Sequence, residues 1–122
     1  MIKSVLILCE KGPFGTNSTT EAIRLGSGFL GIGEDIDCKL ILMGDAVLYM
    51  KNNLNPEPIG MDTLADGIEM ADLTEMPILL VKEDMESRGV TESDLIEYEE
   101  ISIIERAEIP KIIGEFDTVF KV

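Results

Sequence analysis

Short continuous apolar runs alternate along this chain with stretches of helical periodicity, and that alternation constrains its fold more than any other feature. Val5, Leu6, Ile7 and Leu8 follow one another without a polar break, and Gly12 and Pro13 stop the run. A run of that length fits a strand covered on both faces, the situation of a central strand in a parallel sheet. Ala22, Ile23, Gly26, Phe29 and Leu30 then fall on one helical stripe. Ser18 and Glu21 have the spacing of a capping box at its start, and Gly31 and Gly33 suit its end. Gly26 and Gly28 weaken an isolated helix, so both are assigned to close approach of the helix to a sheet.

The alternation continues. A second strand is expected over residues 37–43, then a short helix over 46–50 and a polar, proline-rich loop over 52–58. Met61, Leu64, Ala65, Ile68 and Ala71 recur at helical spacing, with Asp62, Asp66 and Glu69 on the other side. Pro77 opens a third strand over 78–81, and a helical turn over 83–87 ends at Arg88-Gly89. Thr91 and Asp94 begin another short helix, and residues 100–104 hold a fourth strand. A helix over 107–114 tolerates Pro110 in its first turn, and residues 118–122 form a fifth strand. Strands that alternate with helices require βαβ crossovers. The expectation is one α/β domain over residues 1–122, with a mostly parallel sheet and helices on both faces.

Composition narrows the chemistry. There is no His, which removes the commonest general base, the Ser-His-Asp triad and any imidazole metal site. Two cysteines, Cys9 and Cys38, cannot build a four-thiolate zinc centre, so no metal and no cofactor are expected. If their strands are parallel neighbours, the two lie several residues apart along the strand direction. At about 3.3 Å per residue that exceeds the roughly 7 Å Cα limit for a disulfide. The net charge of −14 repels polyanions, so direct nucleic-acid binding is not expected, while docking on a basic partner remains open. The opening apolar run is too short for a signal-peptide core or a membrane span, and the expected location is the cytoplasm.

Ligands of open parallel sheets bind outside the carboxyl ends of the strands, which points to residues 10–17, 44–47 and 82–89. In the first of these, Lys11, Gly12, Gly15 and Thr16 precede a helix N-terminus that could hold an anion, although neither phosphate-loop nor dinucleotide spacing is present. The alternative is a turn plus a helix cap. Cys9, at the end of the first strand, is either a thiolate favoured by the next helix or a small core residue. Cys38, at the start of the second strand, reads as core. Asp45 either contributes to a ligand site or accepts backbone N–H groups at a helix start.

The opening Lys3-Ser4-Val5-Leu6-Ile7-Leu8 followed by Gly12-Pro13-Phe14-Gly15-Thr16 resembles the first strand and turn of DsrE/DsrF/TusC-type sulfur-relay proteins. Leu42-Met43-Gly44-Asp45-Ala46-Val47, Ser87-Arg88-Gly89-Val90 and Phe116-Asp117-Thr118-Val119-Phe120 resemble later segments of the same family, in the same order. The resemblance implies a three-layer α/β/α sandwich on a five-stranded parallel sheet of order 4-3-2-1-5. It also implies homo-oligomers, or assemblies with DsrE/TusD-like or DsrH/TusB-like subunits. In that family sulfur travels as a cysteine persulfide, towards tRNA thiolation or within sulfur metabolism. Relay subunits carry a cysteine near the end of the third strand, where this chain has Val81 beside Lys82. The sequence therefore reads as a TusC/DsrF-like accessory subunit without independent activity. The competing readings are a sulfur carrier that uses Cys9 and a small-anion binder that uses residues 12–18.

Overall fold

The computed structural model describes residues 4–11, 18–32, 36–50, 64–96 and 98–122. The expected loop at 52–58, Met61 and the turn residues Gly12, Gly15 and Thr16 lie outside them. Five strands, β1 (Ser4–Cys9), β2 (Asp37–Leu42), β3 (Ile78–Val81), β4 (Ile101–Ile104) and β5 (Thr118–Lys121), form one sheet of order β4-β3-β2-β1-β5. Every pairing is parallel. The crossovers carry α1 (Ser18–Ile32), α2 (Leu64–Thr74), α3 (Lys82–Ser87) and α4 (Ile109–Gly114). The α/β class, the parallel sheet and the strand order implied by the family resemblance are all observed.

The two faces of the sheet have separate cores. On one, Val5, Ile7, Leu40, Leu42, Ile78 and Leu80 are fully buried beneath α1, α2 and a 3-10 helix, Gly44–Met50. On the other, Leu6, Ile41, Leu79 and Val81 pack with Ile109, Ile112 and Phe116 from α4 and the turn after it. The odd and even positions of each run divide between the faces, as the pleat requires, and this is why the runs contain no polar gap. Burying the side chains of one such strand contributes several kcal/mol at roughly 1.5–3 kcal/mol per large aliphatic residue.

Close packing explains one of the two helix glycines. A Cβ on Gly26 would sit 2.6 Å from the Met76 sulfur and 3.3 Å from that of Cys38, so a side chain there would force the Met76 side chain to move and crowd the packing of α1 on the sheet. Gly28 is different. It faces outward with nothing within 4 Å, and the expectation of close approach there is corrected. Boundaries shift modestly. The helix expected over 46–50 is the 3-10 helix Gly44–Met50, the first helix continues through Gly31 to Ile32, and the helix expected over 107–114 is divided into a 3-10 turn, Arg106–Glu108, and α4.

The ends of the sheet are held by polar contacts that local pattern does not reveal. The Asp117 N–H donates to the Ser4 hydroxyl (2.9 Å), and the Ser4 N–H donates to the Asp117 carboxylate (3.2 Å). This reciprocal pair starts β1 and β5 together. After α3, the Val90 N–H donates to the Met85 carbonyl (2.9 Å) and the Gly89 N–H to the Glu86 carbonyl (3.1 Å). These are the two bonds of a Schellman closure, and Val90 is buried against the core that α3 joins.

Candidate functional site

The carboxyl ends of β1, β2, β3 and β4 meet at one rim. β1 ends at Cys9, and the Cys9 carbonyl accepts the Met43 N–H (2.9 Å), which draws the chain after β2 against β1. Gly44 follows with φ +55°, and a Cβ there would stand 3.2 Å from the Glu10 carbonyl oxygen. Glycine is required here for both its left-handed backbone and its small size. The Gly44 N–H donates to the Asp84 carboxylate (2.8 Å).

Asp84 is the centre of the rim. It lies in the first turn of α3, is buried, and receives the guanidinium of Arg106, which follows β4. Arg88 lies a turn further along, with its Nη1 3.7 Å from the same carboxylate and donating to the Asp84 carbonyl (3.2 Å). The Arg88 Nε–H donates to Asp45 (2.8 Å). The Arg106 backbone N–H donates to Glu83 (2.9 Å), and this bond is the main reason the Glu83 carboxyl lies below its ordinary range. One buried carboxylate thus joins the loops after β2, β3 and β4. A buried carboxylate is tolerated because donors surround it.

This geometry explains two of the segments that carried the family resemblance. Gly44-Asp45 and Ser87-Arg88-Gly89 are distant in sequence and are brought together by the Arg88–Asp45 ion pair. Asp45 is exposed, and its carboxylate is engaged by Arg88. The Gly44 N–H beside it is held by a different carboxylate, that of Asp84. Sequence reading selected residues 82–89 as a candidate loop without singling out Asp84, and it overlooked Arg106. An acid in the first turn after a buried strand was the available signal for Asp84. Nothing local marks Arg106.

The cysteines are placed without ambiguity. Cys9 is 0% exposed and packs in the core beneath α1. Val81, at the place where relay subunits are expected to carry their cysteine, is also 0% exposed but belongs to the core on the opposite face. Cys9 pairs with Leu42, which pairs with Leu80, so Cys9 and the end of β3 are two strand spacings apart, roughly 10 Å. Cys38 pairs with Val5, four residues below the Cys9 level, and the two thiols are too far apart to bridge. Burial, followed by the charge of Asp37, pushes the Cys38 thiol up to about 12. Lys11 is exposed and Ser18 begins α1, but residues 12–17 of the anion-loop reading lie outside the described residues. Among the described residues no group of His, Cys, Asp or Glu has the geometry of a metal site, and no helix is long and apolar enough to cross a membrane.

Comparison with known proteins agrees with this architecture. The chain is 24% identical to the intracellular sulfur oxidation protein DsrF of Allochromatium vinosum over 133 aligned residues, covering 98% of this chain and 96% of that one. The crystal structure of the YchN protein of E. coli superposes over the whole of both chains with a TM-score of 0.80 at 24% identity. A protein of unknown function from Methanobacterium thermoautotrophicum also matches over both full lengths, with a TM-score of 0.72 at 9% identity. The DsrE/DsrF-like family itself matches residues 3–122, and the chain therefore belongs to the DsrE/DsrF-like family.

Proposed function

We propose that this protein is an accessory subunit of an intracellular sulfur-relay assembly, and that a companion chain supplies the reactive thiol. The observation that carries this reading is the pair of facts at the carboxyl rim. The end of β3 presents Val81 in place of a thiol, and the nearest alternative, Cys9, is fully enclosed on the other face of the sheet. Persulfide transfer needs a thiolate that another sulfur can approach in line, and neither position offers one. What the rim does offer is a braced polar surface, Asp45, Lys82, Arg88 and Arg106 around buried Asp84. Such a surface suits recognition of a related subunit. The companions are DsrE/TusD-like or DsrH/TusB-like chains, or further copies of this one, and the setting is the cytoplasm.

The test is sulfur transfer in a reconstituted mixture. The protein is combined with a relay subunit that carries cysteine at the end of its third strand, a small persulfide donor is added, and intact masses are read. The expected result is a stable complex in which one sulfur atom is gained by the companion and none by this chain. Cys9→Ser leaves the transfer rate unchanged. Rapid sulfur loading of Cys9, lost in Cys9→Ser, refutes the accessory role in favour of the carrier.

A further inference from the structure

Residues 105–122 close one face of the sheet without burying themselves, and we infer that they form a strap that opens as one unit and controls access to the end of β3. Ile104 is the last buried residue of the chain, and from Glu105 to Val122 every residue is half-buried or exposed. The segment carries three of the five large apolar side chains that stand exposed among the described residues, Ile113, Val119 and Phe120. Beneath it Leu6, Ile41 and Val81 are 0% exposed. The floor is dry, while its cover is wet on the outer side. The path of the chain explains so thin a cover. Right-handed crossovers that step in one direction from β1 to β4 put their helices on one face, and the return from β4 to β5 puts its helix on the other. Accordingly Ala22 of α1, Ala71 of α2 and Met85 of α3 share one core, whereas the opposite core receives helical side chains only from α4 among the described residues.

α4 has six residues and β5 four, and β5 pairs with β1 on one side only. Elements that short hold by their contacts rather than by propensity, and a unit with few buried side chains opens before the rest of a domain. The fastenings sit at defined points. The Arg106 N–H donates to Glu83 (2.9 Å) and its guanidinium to Asp84, which fixes a hinge beside Ile104. At the far end of α4 the reciprocal Asp117–Ser4 pair (2.9 and 3.2 Å) fastens the turn into β5. Beyond it the Val122 N–H donates to the Leu8 carbonyl (2.9 Å), and Phe120 stacks on Phe29 with ring centroids 5.9 Å apart. The Asp117–Ser4 pair is exposed, so water competes for both of its bonds and it acts as the clasp. Release there uncovers the edge of β1 and the core that contains Val81, the position where relay subunits are expected to carry their thiol. The strap is a property of this fold and stands apart from the accessory role.

The experiment is alkylation of a Val81→Cys variant by iodoacetamide across a urea series, resolved to each cysteine by peptide mass, with global unfolding followed by circular dichroism. Cys9 and Cys38, buried on the other face, are the internal reference. Without urea the fastenings keep the strap shut. The introduced thiol is expected to react at a urea concentration about 1 M or more below that at which Cys38 reacts, because opening the strap costs less than unfolding the domain. Adding Asp117→Ala speeds its modification by about threefold or more below the global transition and leaves that of Cys38 unchanged there. Hydrogen exchange of the unsubstituted chain supplies a second reading that no folding defect can obscure. The amides of α4 and β5 are expected to exchange about tenfold or more faster than those of β2 and β3. Reaction of the introduced thiol only together with Cys38, an Asp117→Ala change that accelerates both thiols equally, or β5 amides as slow as those of β2 each overturns the strap. The accessory role is read from sulfur loading and survives any of these results.

Discussion

Replacing Asp84 separates its two structural roles. The carboxylate accepts the Gly44 N–H at 2.8 Å and compensates the guanidinium of Arg106, with Arg88 at 3.7 Å. Asp84→Ala strands the half-buried Gly44 N–H, a loss of about 1–3 kcal/mol. The ion-pair part is smaller than for a fully buried pair, because the Arg106 side chain is 53% exposed and regains water when its partner is removed. The sum is about 2–3 kcal/mol. Asp84→Asn keeps an acceptor for Gly44 and loses only the charge, for about 1 kcal/mol. With a urea slope of about 1.5 kcal/mol/M, the expected falls in midpoint are roughly 1.3–2 M for Ala and about 0.7 M for Asn. Equilibrium urea unfolding followed by circular dichroism reads both. If Asn costs as much as Ala, the Gly44 bond contributes nothing. If Ala costs less than about 0.5 kcal/mol, Asp84 does not brace the rim at all.

Further outcomes follow from individual positions. Glu75 sits at φ +53° after α2, in a helix end with no basic residue in its last turn, so Glu75→Gly raises stability by about 1 kcal/mol and the thermal midpoint by a few degrees; an unchanged melt contradicts the strain. Gly44→Ala combines a left-handed backbone with a contact at 3.2 Å and lowers stability by about 2 kcal/mol or more in the same assay. Cys38 and Tyr98 are both pushed up to about 12, from 9.0 and 10.0, so their contribution is fully present below pH 9 and is lost as pH rises from 9 towards 12; urea midpoints fall over that window, and Tyr98→Phe flattens the upper part of the fall. Val81→Cys places a thiol where exposure is 0%, so iodoacetamide modifies it only in urea; fast modification of the native variant shows that the end of β3 opens in solution.

The fold was largely legible because its signals are local. An unbroken apolar run such as Val5 to Leu8 is satisfied by burial on both faces, and the stripe Ala22, Ile23, Gly26 by packing one helix face against the core. The helix at 44–50 was harder to delimit. Its buried residues include Tyr49 and Met50, which share a core with Met85 of α3, a contact that its local pattern does not reveal. Gly28 was misread because Gly26 and Gly28 look alike in sequence, while only Gly26 meets the sulfurs of Met76 and Cys38.

By itself, the order of residues determined the alternation of strand and helix, the parallel sheet and the absence of imidazole chemistry, since each follows from periodicity or from which side chains exist. Only the tertiary structure decided that Cys9 and Val81 face opposite cores, that Asp45 and Arg88 meet, and that Asp84 receives Arg106 from the end of the neighbouring strand β4. Those contacts depend on strand register and crossover path, which place side chains tens of residues apart within hydrogen-bond reach. A hydrogen bond extends about 3 Å and has no counterpart in local spacing.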